Sequence, residues 1–252
     1  MVSLKDKIAL ITGASSGIGA ATAHALARAG AKLILAARRI DRLESLAKEL
    51  KDKYQIACFI LELDVRNSEK VAEALYQIPK AFQPIDILIN NAGLAAGFDL
   101  TKDSNIEDWD AMIDTNFKGL IYVTRAILPQ MLERNSGYIV NISSTAGRHS
   151  YAKGSVYCAT KAAVTTFSRA LKQECIGTDV RITDIAPGMA ETEFSEVRFK
   201  GDKDQAKKVY ETFTPLSSDD VADAIMFALT RPVHVNIVDM VITAKDQARH
   251  LV

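Results

Sequence analysis

The sequence predicts an α/β protein in which a parallel sheet lies between two layers of helices, the doubly wound arrangement. Short apolar runs rich in β-branched residues alternate along the chain with longer stretches whose apolar residues recur at three- and four-residue spacing. The short runs are typical of strands buried on both faces, and the spaced stretches are typical of helices that cover such a sheet. No linker, repeat or low-complexity segment interrupts this alternation, so we expect residues 1–252 to form a single domain.

Seven strands and six main helices are expected in alternating order. The strands are predicted at 7–12, 32–37, 57–63, 85–90, 137–142, 180–186 and 237–242. The helices are predicted at 17–30, 40–53, 67–80, 107–133, 155–176 and 218–230. Because crossovers between parallel strands are right-handed, helices should cover both faces of this seven-stranded sheet, with the ligand crevice at the carboxyl ends of the strands.

The segment 191–213 breaks the alternation, because it is long, strongly charged and placed between the sixth strand and the next helix. We interpret it as a pair of short helices that form a mobile lid over the substrate, within a lid region of about 189–215. A solvated surface excursion is the alternative interpretation.

The composition argues against several classes of function. The 31 basic and 31 acidic residues balance, which gives no electrostatic basis for binding nucleic acid or an anionic membrane. The charged N-terminal segment lacks an apolar signal region and no stretch approaches the length of a spanning helix, so a soluble cytoplasmic protein is expected. The three cysteines form no CxxC pair and the four histidines are scattered, which indicates neither disulfides nor a metal site.

The run Thr12–Gly19 directly follows the first predicted strand and opens the first predicted helix. Glycine permits a positive φ and a close backbone approach, while the helix start offers free N–H groups and a positive dipole end to an anion. A nucleotide pyrophosphate is therefore expected here, although many strand-to-helix turns carry two glycines for turn geometry alone. The expected contacts are Gly13, Ser15, Ser16, Gly17, Ile18 and Gly19.

Arg38 and Arg39 end the second predicted strand, where a protein that binds NAD usually has an acidic residue for the ribose 2′-hydroxyl. Two guanidiniums at that position suit a 2′-phosphate, so we expect NADP(H) as the cofactor. Arg38 should make the main contact, with support from Arg39 and from the hydroxyl of Ser15. Two solvated surface arginines are the alternative interpretation.

Tyr157 and Lys161 lie four residues apart in the fifth predicted helix, which places them on one helical face. A free tyrosine titrates near about pH 10, so it is a poor base at neutral pH unless a nearby cation stabilises its phenolate. Lys161 would supply that charge, and Tyr157 would then exchange a proton with the oxygen of a carbonyl or an alcohol. The same spacing also occurs in ordinary helices, where it has no catalytic meaning.

Four motifs follow one another along the chain: the glycine turn, Asn90–Gly93, Ser144, and Tyr157 with Lys161. In this order and spacing they resemble the short-chain dehydrogenase/reductase family, and the resemblance covers nearly all of the 252 residues. It implies a Rossmann-type domain with a nucleotide-binding half at 1–133 and a catalytic and substrate half at 134–252. It also implies an oxidoreductase that moves a hydride between a nicotinamide and a CH–OH or carbonyl group.

The resemblance implies roles for further residues. Ser144 would donate a hydrogen bond to the substrate oxygen, Asn90 would tie the central sheet together, and Asn116 would bend its helix and hold a water that links Lys161 to solvent. The implied cofactor contacts are Asp64 and Val65 at the adenine, Asn91, Ala92 and Gly93 near a ribose, Pro187 and Gly188 at the nicotinamide carboxamide, Thr192 beside it, and Tyr157 and Lys161.

The segments 191–195, 197–202, 231–232 and 234–237 resemble one branch of that family, the NADP-dependent 3-hydroxy acid dehydrogenases that act on serine, allo-threonine and 3-hydroxyisobutyrate. A substrate carboxylate needs a cation, ideally a guanidinium that offers two parallel hydrogen bonds. Arg148 and Arg198 are the candidates, with Lys153 a weaker third, and each of them could equally be a solvated charge.

Two other functions remain open. A broader NADPH-dependent carbonyl reductase of bulky ketones or aldehydes would turn over hydrophobic carbonyls and not serine. A non-catalytic NADP-binding sensor would bind the nucleotide without turnover, although it would have little need for the complete catalytic set. The resemblance implies a homotetramer, or a dimer. The segment 241–248 lacks the proline usual near the short, glutamine-containing tail of the branch, which bears on that assembly.

Overall fold

The computed structural model describes residues 2–247 and contains one parallel sheet of seven strands. The strands are β1 (Ile8–Thr12), β2 (Lys32–Ala37), β3 (Cys58–Glu62), β4 (Ile87–Asn90), β5 (Gly137–Ile142), β6 (Val180–Pro187) and β7 (Asp239–Ile242). Their order in the sheet is β3-β2-β1-β4-β5-β6-β7, so the sheet grows in opposite directions from β1 and from β4. This confirms the predicted doubly wound fold, in which ligands bind outside the carboxyl ends of those two strands.

The helices of the described region are α1 (Gly17–Arg28), α2 (Ile40–Tyr54), α3 (Ser68–Tyr76), α4 (Ile106–Ile113), α5 (Gly119–Glu133), α6 (Ser155–Glu174), α7 (Glu193–Arg198), α8 (Lys203–Lys208) and α9 (Ser218–Leu229). α3 ends earlier than the predicted 67–80 because Pro79 follows, and the residue before a proline avoids helical backbone angles. The predicted helix 107–133 is divided into α4 and α5 by a π-helical turn at Asp114–Lys118. The pair of short helices predicted within 191–213 is present as α7 and α8.

Alternate side chains of each central strand pack into opposite helical layers. Leu33 and Leu35 of β2 are fully buried in the cluster that α1, α2 and α9 complete. Ile34, between them, is fully buried on the other face in the cluster that includes α3, α5 and α6. Burying one such side chain contributes about 1.5–3 kcal/mol. The strands are therefore held on both faces, which fixes the positions of the residues at their carboxyl ends.

Within residues 2–247 no helix has the length and apolarity needed to cross a membrane. The same part of the chain contains no group of three or more His, Cys, Asp or Glu residues able to hold a metal ion. β7 ends at Ile242, and the tail segment 241–248 is described as far as Gln247. Residues 1 and 248–252 of the predicted domain lie outside the described residues.

Candidate active site

A cavity of about 680 Å³ lies at the carboxyl ends of the strands. The glycine turn after β1 forms part of its wall, and α7 forms another part. The predicted site residues line it, apart from Gly19, Asn116 and Arg148. The residues expected to bind a nucleotide and those expected to carry out chemistry therefore face one space.

The turn between β1 and α1 fits a phosphate group. α1 begins at Gly17, after an extended Ser16 whose side chain makes no capping hydrogen bond, so the first N–H groups of the helix are available to an anion. Gly13 and Gly17 have φ angles of 65° and 54°, which favour glycine. A Cβ at Gly19 would lie 2.4 Å from the carbonyl oxygen of Gly13, so α1 packs against the turn only with glycine there.

The two arginines after β2 lie beside this turn. Nη2 of Arg39 donates hydrogen bonds to the hydroxyls of Ser15 at 3.0 Å and Ser16 at 2.8 Å. Its Nη1 donates to the carboxylate of Glu193 at 3.0 Å. Arg38 is exposed and also lines the cavity. Positive charge thus lies next to the glycine turn, where the sequence predicts a ribose 2′-phosphate.

Asp64, after β3, lines the cavity with its carboxylate already engaged. Arg66 donates to it from Nε at 2.9 Å and from Nη2 at 2.6 Å. The hydrogen bonds from Arg66 lower the pKa of Asp64, and burial opposes them. The neighbouring Val65 is fixed against α5, because a Cβ at Gly119 would lie 2.4 Å from its Cγ2. An adenine at this point would meet a carboxylate and an apolar side chain that are both held in place.

Two asparagines at the end of β4, its last residue Asn90 and the following Asn91, fasten neighbouring strand ends together. Asn90 donates to Oδ1 of Asn141 on β5 and to the hydroxyl of Thr124 on α5, each at 2.9 Å. Asn91 donates to the carbonyl oxygen of Thr12 at 3.0 Å, at the start of the glycine turn. Asn90 therefore ties β4 to β5, as the resemblance implies, while Asn91 ties the end of β4 to β1.

Tyr157 and Lys161 lie on one face of α6, as their spacing predicts, and both are almost fully buried. Nζ of Lys161 lies 6.0 Å from the centroid of the Tyr157 ring and donates a hydrogen bond to the carbonyl oxygen of Ile142 at 2.9 Å. The hydroxyl of Ser144, just after β5, lies within hydrogen-bonding reach of the Tyr157 phenol. These three side chains therefore meet beside the end of β5.

Burial sets the protonation of this group. It raises the pKa of Tyr157 above its usual range, while the charge of Arg198 and the hydrogen bond with Ser144 lower it. Burial lowers the pKa of Lys161 from 10.5 to about 8, and the negative charge of Asp184 opposes that decrease. The phenol is therefore protonated at neutral pH and suited to donate a proton. It must ionise to the phenolate before it can accept one, and additional positive charge favours that ionisation.

Asn116 lies in the π-helical turn between α4 and α5 and outside the cavity wall. Its Oδ1 accepts from the backbone N–H of Leu94 and its Nδ2 donates to the carbonyl oxygen of Leu94, both at 2.8 Å. Nδ2 also donates to the hydroxyl of Thr160 on α6 at 3.1 Å. A Cβ at Gly93 would lie 3.3 Å from both Oδ1 of Asn116 and Nζ of Lys161. Asn116 therefore holds the segment after β4 close to Lys161, and the irregular helix turn positions it.

The structure separates the two arginines considered for a substrate carboxylate. Arg198, at the end of α7, lines the cavity with its guanidinium carbon 5.1 Å from the centroid of the Tyr157 ring. Arg148 lies outside the cavity and pairs with Asp184 at 3.3 Å and Asp239 at 2.5 Å. The position of Arg148 does not suit the carboxylate role, because its guanidinium is engaged in joining β6 to β7.

Aromatic rings surround Arg198. Its guanidinium carbon lies 5.3 Å from the ring centroid of Phe194, 5.8 Å from that of Tyr151 and 6.0 Å from that of Phe98. Nη2 of Arg198 also donates a hydrogen bond to the Tyr151 hydroxyl at 2.7 Å. Nζ of Lys153, the third cation considered, lies 5.6 Å from the ring centroid of Phe98, and Lys153 does not line the cavity. This end of the cavity therefore combines one guanidinium with a largely aromatic wall.

α7 and its flanking residues are attached on two sides of the cavity. Thr192 caps α7, and a Cβ at Gly17 would lie 3.4 Å from its side chain, so α7 begins directly over the glycine turn. Glu193 continues from there to Arg39. At the far end of α7, Lys200 pairs with Asp108 of α4 at 2.8 Å. Sequence reasoning missed these charge pairs, because each joins residues far apart in the chain.

Besides these charge pairs, the sequence analysis also missed Gln247. It is almost fully buried, and its Oε1 accepts a hydrogen bond from the backbone N–H of Met189 at 2.8 Å. A Cβ at Gly188 would lie 2.3 Å from the same oxygen. Gln247 therefore fixes the loop after β6 that lines the cavity. The only signal for it was the resemblance, which included a tail containing glutamine.

Comparisons with known proteins agree with this geometry. The family model described as short chain dehydrogenase matches residues 7–203. An NADP-dependent 3-hydroxy acid dehydrogenase of Schizosaccharomyces pombe (strain 972 / ATCC 24843) is 49% identical over 248 residues, which cover 98% of this chain and 96% of that protein. A protein of the same description from Escherichia coli (strain K12) is 49% identical over 231 residues, 91% of this chain and 92% of its own. A solved structure described as the closed form of serine dehydrogenase complexed with NADP+ superimposes with a TM-score of 0.89 at 47% identity, and the match covers 94% of each chain.

Proposed function

This chain belongs to the short-chain dehydrogenase family, and on that premise we propose that it is an NADP-dependent oxidoreductase that reversibly oxidises small 3-hydroxy acids of the serine, allo-threonine and 3-hydroxyisobutyrate type. One observation carries the proposal. Tyr157, Ser144 and Lys161 face the same cavity as the glycine turn and Arg38. A proton donor for an alcohol oxygen thus lies in one space with a phosphate cradle and a cation suited to a 2′-phosphate.

The reaction depends on proton transfer at Tyr157. Bound NADP(H) supplies or accepts the hydride. In the reductive direction the buried, protonated phenol donates its proton to the substrate oxygen, while the hydroxyl of Ser144 orients that oxygen. In the oxidative direction Tyr157 reacts as the phenolate, which accepts the alcohol proton and becomes the phenol. The positive charges of Lys161 and Arg198, 6.0 Å and 5.1 Å from its ring centroid, favour that phenolate.

Arg198 is the residue we assign to the substrate carboxylate. Its guanidinium lines the cavity beside Tyr157, and a 3-hydroxy acid carries its carboxylate only two carbons from the reacting alcohol carbon. A guanidinium can hold a carboxylate through two parallel hydrogen bonds. The hydroxyl of Tyr151, already hydrogen-bonded to Arg198, supports the orientation of that fork.

The aromatic wall favours a second candidate, a broader NADPH-dependent carbonyl reductase. Phe98, Tyr151, Phe194 and Phe199 line the substrate end of the cavity, and such rings suit bulky apolar ketones. The two candidates share every catalytic residue and differ in whether Arg198 binds a substrate charge or packs among the rings.

The test is the initial rate of NADP+ reduction with serine, allo-threonine, 3-hydroxyisobutyrate and neutral secondary alcohols, with NAD+ as the comparison cofactor. We expect turnover of the acids with NADP+, and a loss of about 100-fold to 10,000-fold in Tyr157→Phe, which removes the transferable proton. Tyr76→Phe is the matched control, because Tyr76 is 90% exposed and does not line the cavity.

The outcomes separate the candidates. Turnover of the acids that is lost only in Tyr157→Phe supports the proposal. Turnover of neutral ketones with NADPH and none of the acids would replace it with the broader reductase. Tight NADPH binding with no turnover of either class would favour a nucleotide-binding sensor.

We also infer assembly into a homotetramer, or a dimer, and a location in the cytoplasm. β7 is the last strand of the sheet order, and Val241 on it and Phe227 on α9 are 44% and 47% exposed. An edge strand with exposed apolar side chains is suited to pairing with a second copy. The three unpaired cysteines suit a reducing compartment. Light scattering in solution tests the assembly, and a monomeric mass would contradict it.

A further inference from the structure

Glu193 bridges two arginines beside the site expected to bind the 2′-phosphate. Its Oε2 accepts from Nη1 of Arg39 at 3.0 Å, and its Oε1 accepts from Nη1 of Arg42 at 2.5 Å. The hydrogen bond from Arg42, with support from Arg39, holds the pKa of Glu193 below its usual range, so the carboxylate is ionised at neutral pH. A negative charge thus lies among the cations that suit a phosphate.

Arg39 is the partner that a phosphate and Glu193 would share. Besides Glu193 it holds the hydroxyls of Ser15 and Ser16 in the glycine turn, so its guanidinium is fixed beside the expected phosphate positions. An ionised carboxylate and a phosphate dianion both only accept hydrogen bonds, and they repel each other. They therefore compete for the same donors.

Arg42 has a different position. It lies one turn further along α2, outside the cavity wall, and contacts Glu193 at the shorter of the two distances. Glu193 can therefore keep one charge partner after the other is withdrawn.

We propose that Glu193 competes with the 2′-phosphate of NADP(H) for the guanidinium of Arg39. In the free protein Glu193 pairs with Arg39; when the phosphate binds, Arg39 turns to the phosphate and the Glu193 carboxylate stays paired with Arg42. The inference rests on the proposed function in one respect, namely that the cofactor carries a 2′-phosphate. Glu193 is then a specificity-determining residue, because it weakens the binding of nucleotides with a 2′-phosphate and not of nucleotides without one. Because Glu193 and Arg198 are the two ends of α7, the adenosine end of the cofactor and the substrate cation contact one short helix.

The test measures binding of 2′,5′-ADP and of 5′-ADP to the full-length protein by calorimetry, without turnover. We expect Glu193→Gln to bind 2′,5′-ADP about threefold to fivefold more tightly than the wild type, with 5′-ADP changed less than twofold, because one exposed charge pair contributes up to about 1 kcal/mol, or about fivefold in affinity. Glu196→Gln is the matched control, since it removes an acid from the same helix but not from this cluster. It should leave both affinities unchanged.

A double-mutant cycle tests the role of Arg42. Arg42→Met should weaken 2′,5′-ADP binding in the wild type, because Glu193 then holds Arg39 more strongly. In the Glu193→Gln background the same substitution should have no effect on that affinity. A persistent effect there would show that Arg42 itself contacts the phosphate, and would overturn its role as the retaining partner.

Three results would overturn the competitor role of Glu193. They are an unchanged affinity of Glu193→Gln for 2′,5′-ADP, an equal tightening for both nucleotides, and an equal tightening in Glu196→Gln. A thermal melt of each variant verifies that it is folded. A wild type that binds 5′-ADP as tightly as 2′,5′-ADP would overturn the NADP preference in the proposed function as well, whereas a preference that Glu193→Gln leaves unchanged overturns only this inference.

Discussion

Lys161 should make the free protein less stable at neutral pH than an uncharged side chain of similar shape. It is 5% exposed, and burial lowers its pKa from 10.5 to about 8. At about 1.36 kcal/mol per pH unit, that decrease corresponds to about 3 kcal/mol that opposes folding while the amine is charged. The charge is thus retained for catalysis at the expense of stability.

Replacing Lys161 with Met keeps an unbranched side chain and removes the charge. The substitution also leaves the carbonyl oxygen of Ile142 without its hydrogen bond, which costs about 1–2 kcal/mol. We therefore expect Lys161→Met to be about 1–2 kcal/mol more stable than the wild type at pH 7, with its dehydrogenase activity lost.

The pH dependence isolates the charge from the hydrogen bond. The folded protein releases the Lys161 proton at a lower pH than the unfolded chain, so between about pH 8 and 10.5 the unfolded state binds more protons and wild-type stability rises with pH. The advantage of Lys161→Met should therefore shrink by about 2 kcal/mol between pH 7 and 9.5. Urea unfolding at a fixed protein concentration measures the unfolding free energy of each protein. The contributions of the other titrating groups cancel when the two free energies are subtracted.

Lys48→Met is the matched control, because Lys48 is an exposed lysine of α2 whose charge is already solvated. Its stability difference from the wild type should stay constant across the same pH range. If the difference in unfolding free energy between the wild type and Lys161→Met is also constant with pH, the pKa of Lys161 is not lowered. The claim that burial of its amine opposes folding would then be refuted.

Four further substitutions test the site and the fold. Arg198→Met should raise KM for acidic substrates by about 10-fold to 100-fold and leave KM for neutral alcohols nearly unaffected, while kcat falls for both classes because the Tyr157 phenolate loses a nearby charge; equal effects on the two KM values would remove the carboxylate role. Arg38→Ala should lower the ratio of kcat/KM for NADP to that for NAD by about 10-fold or more, and an unchanged ratio would contradict the 2′-phosphate contact. Gly19→Ala places a Cβ 2.4 Å from the carbonyl oxygen of Gly13 and should abolish nucleotide binding, measured by NADPH fluorescence; near-normal affinity would show that the turn can rearrange. Ser217→Ala removes the capping box of α9 and should cost about 1 kcal/mol, or about 2–4 °C in Tm, with activity unchanged, whereas an unchanged Tm would mean that the cap adds nothing.

The sequence alone predicted the layers of the fold because burial on both faces leaves a strong signal. The residues of β2 are apolar at every position from Leu33 to Ala37, as only a strand covered by two helical layers requires. Helix ends were predicted less well where an irregular turn interrupts the helix. The π-helical turn at Asp114–Lys118 has no characteristic amino-acid composition, so the apolar spacing predicted one continuous helix through it.

Charge partners were the part of the site that the sequence could not supply. Arg148 and Arg198 are equally plausible carboxylate ligands by position in the chain. What distinguishes them is that Arg148 meets Asp184 and Asp239, which are 36 and 91 residues away, whereas Arg198 meets aromatic rings at the cavity. Ion pairs between residues so far apart in the chain depend on tertiary structure, and the local spacing of residues in the sequence does not predict them.

The segment that carries Arg198 contacts the rest of the protein through charge pairs, through backbone hydrogen bonds and through the ring of Phe194, which packs on Tyr157. The pairs of Glu193 with Arg39 and of Lys200 with Asp108 are partly exposed, and pairs of that kind contribute only about 0–1 kcal/mol each. The proton donor, by contrast, is buried on α6 among the strand ends. Substrate preference and proton transfer are therefore coupled through one segment. A chimera that takes residues 189–215 from a relative keeps the buried Tyr157, but its phenolate stays stabilised as before only if position 198 still carries a positive charge.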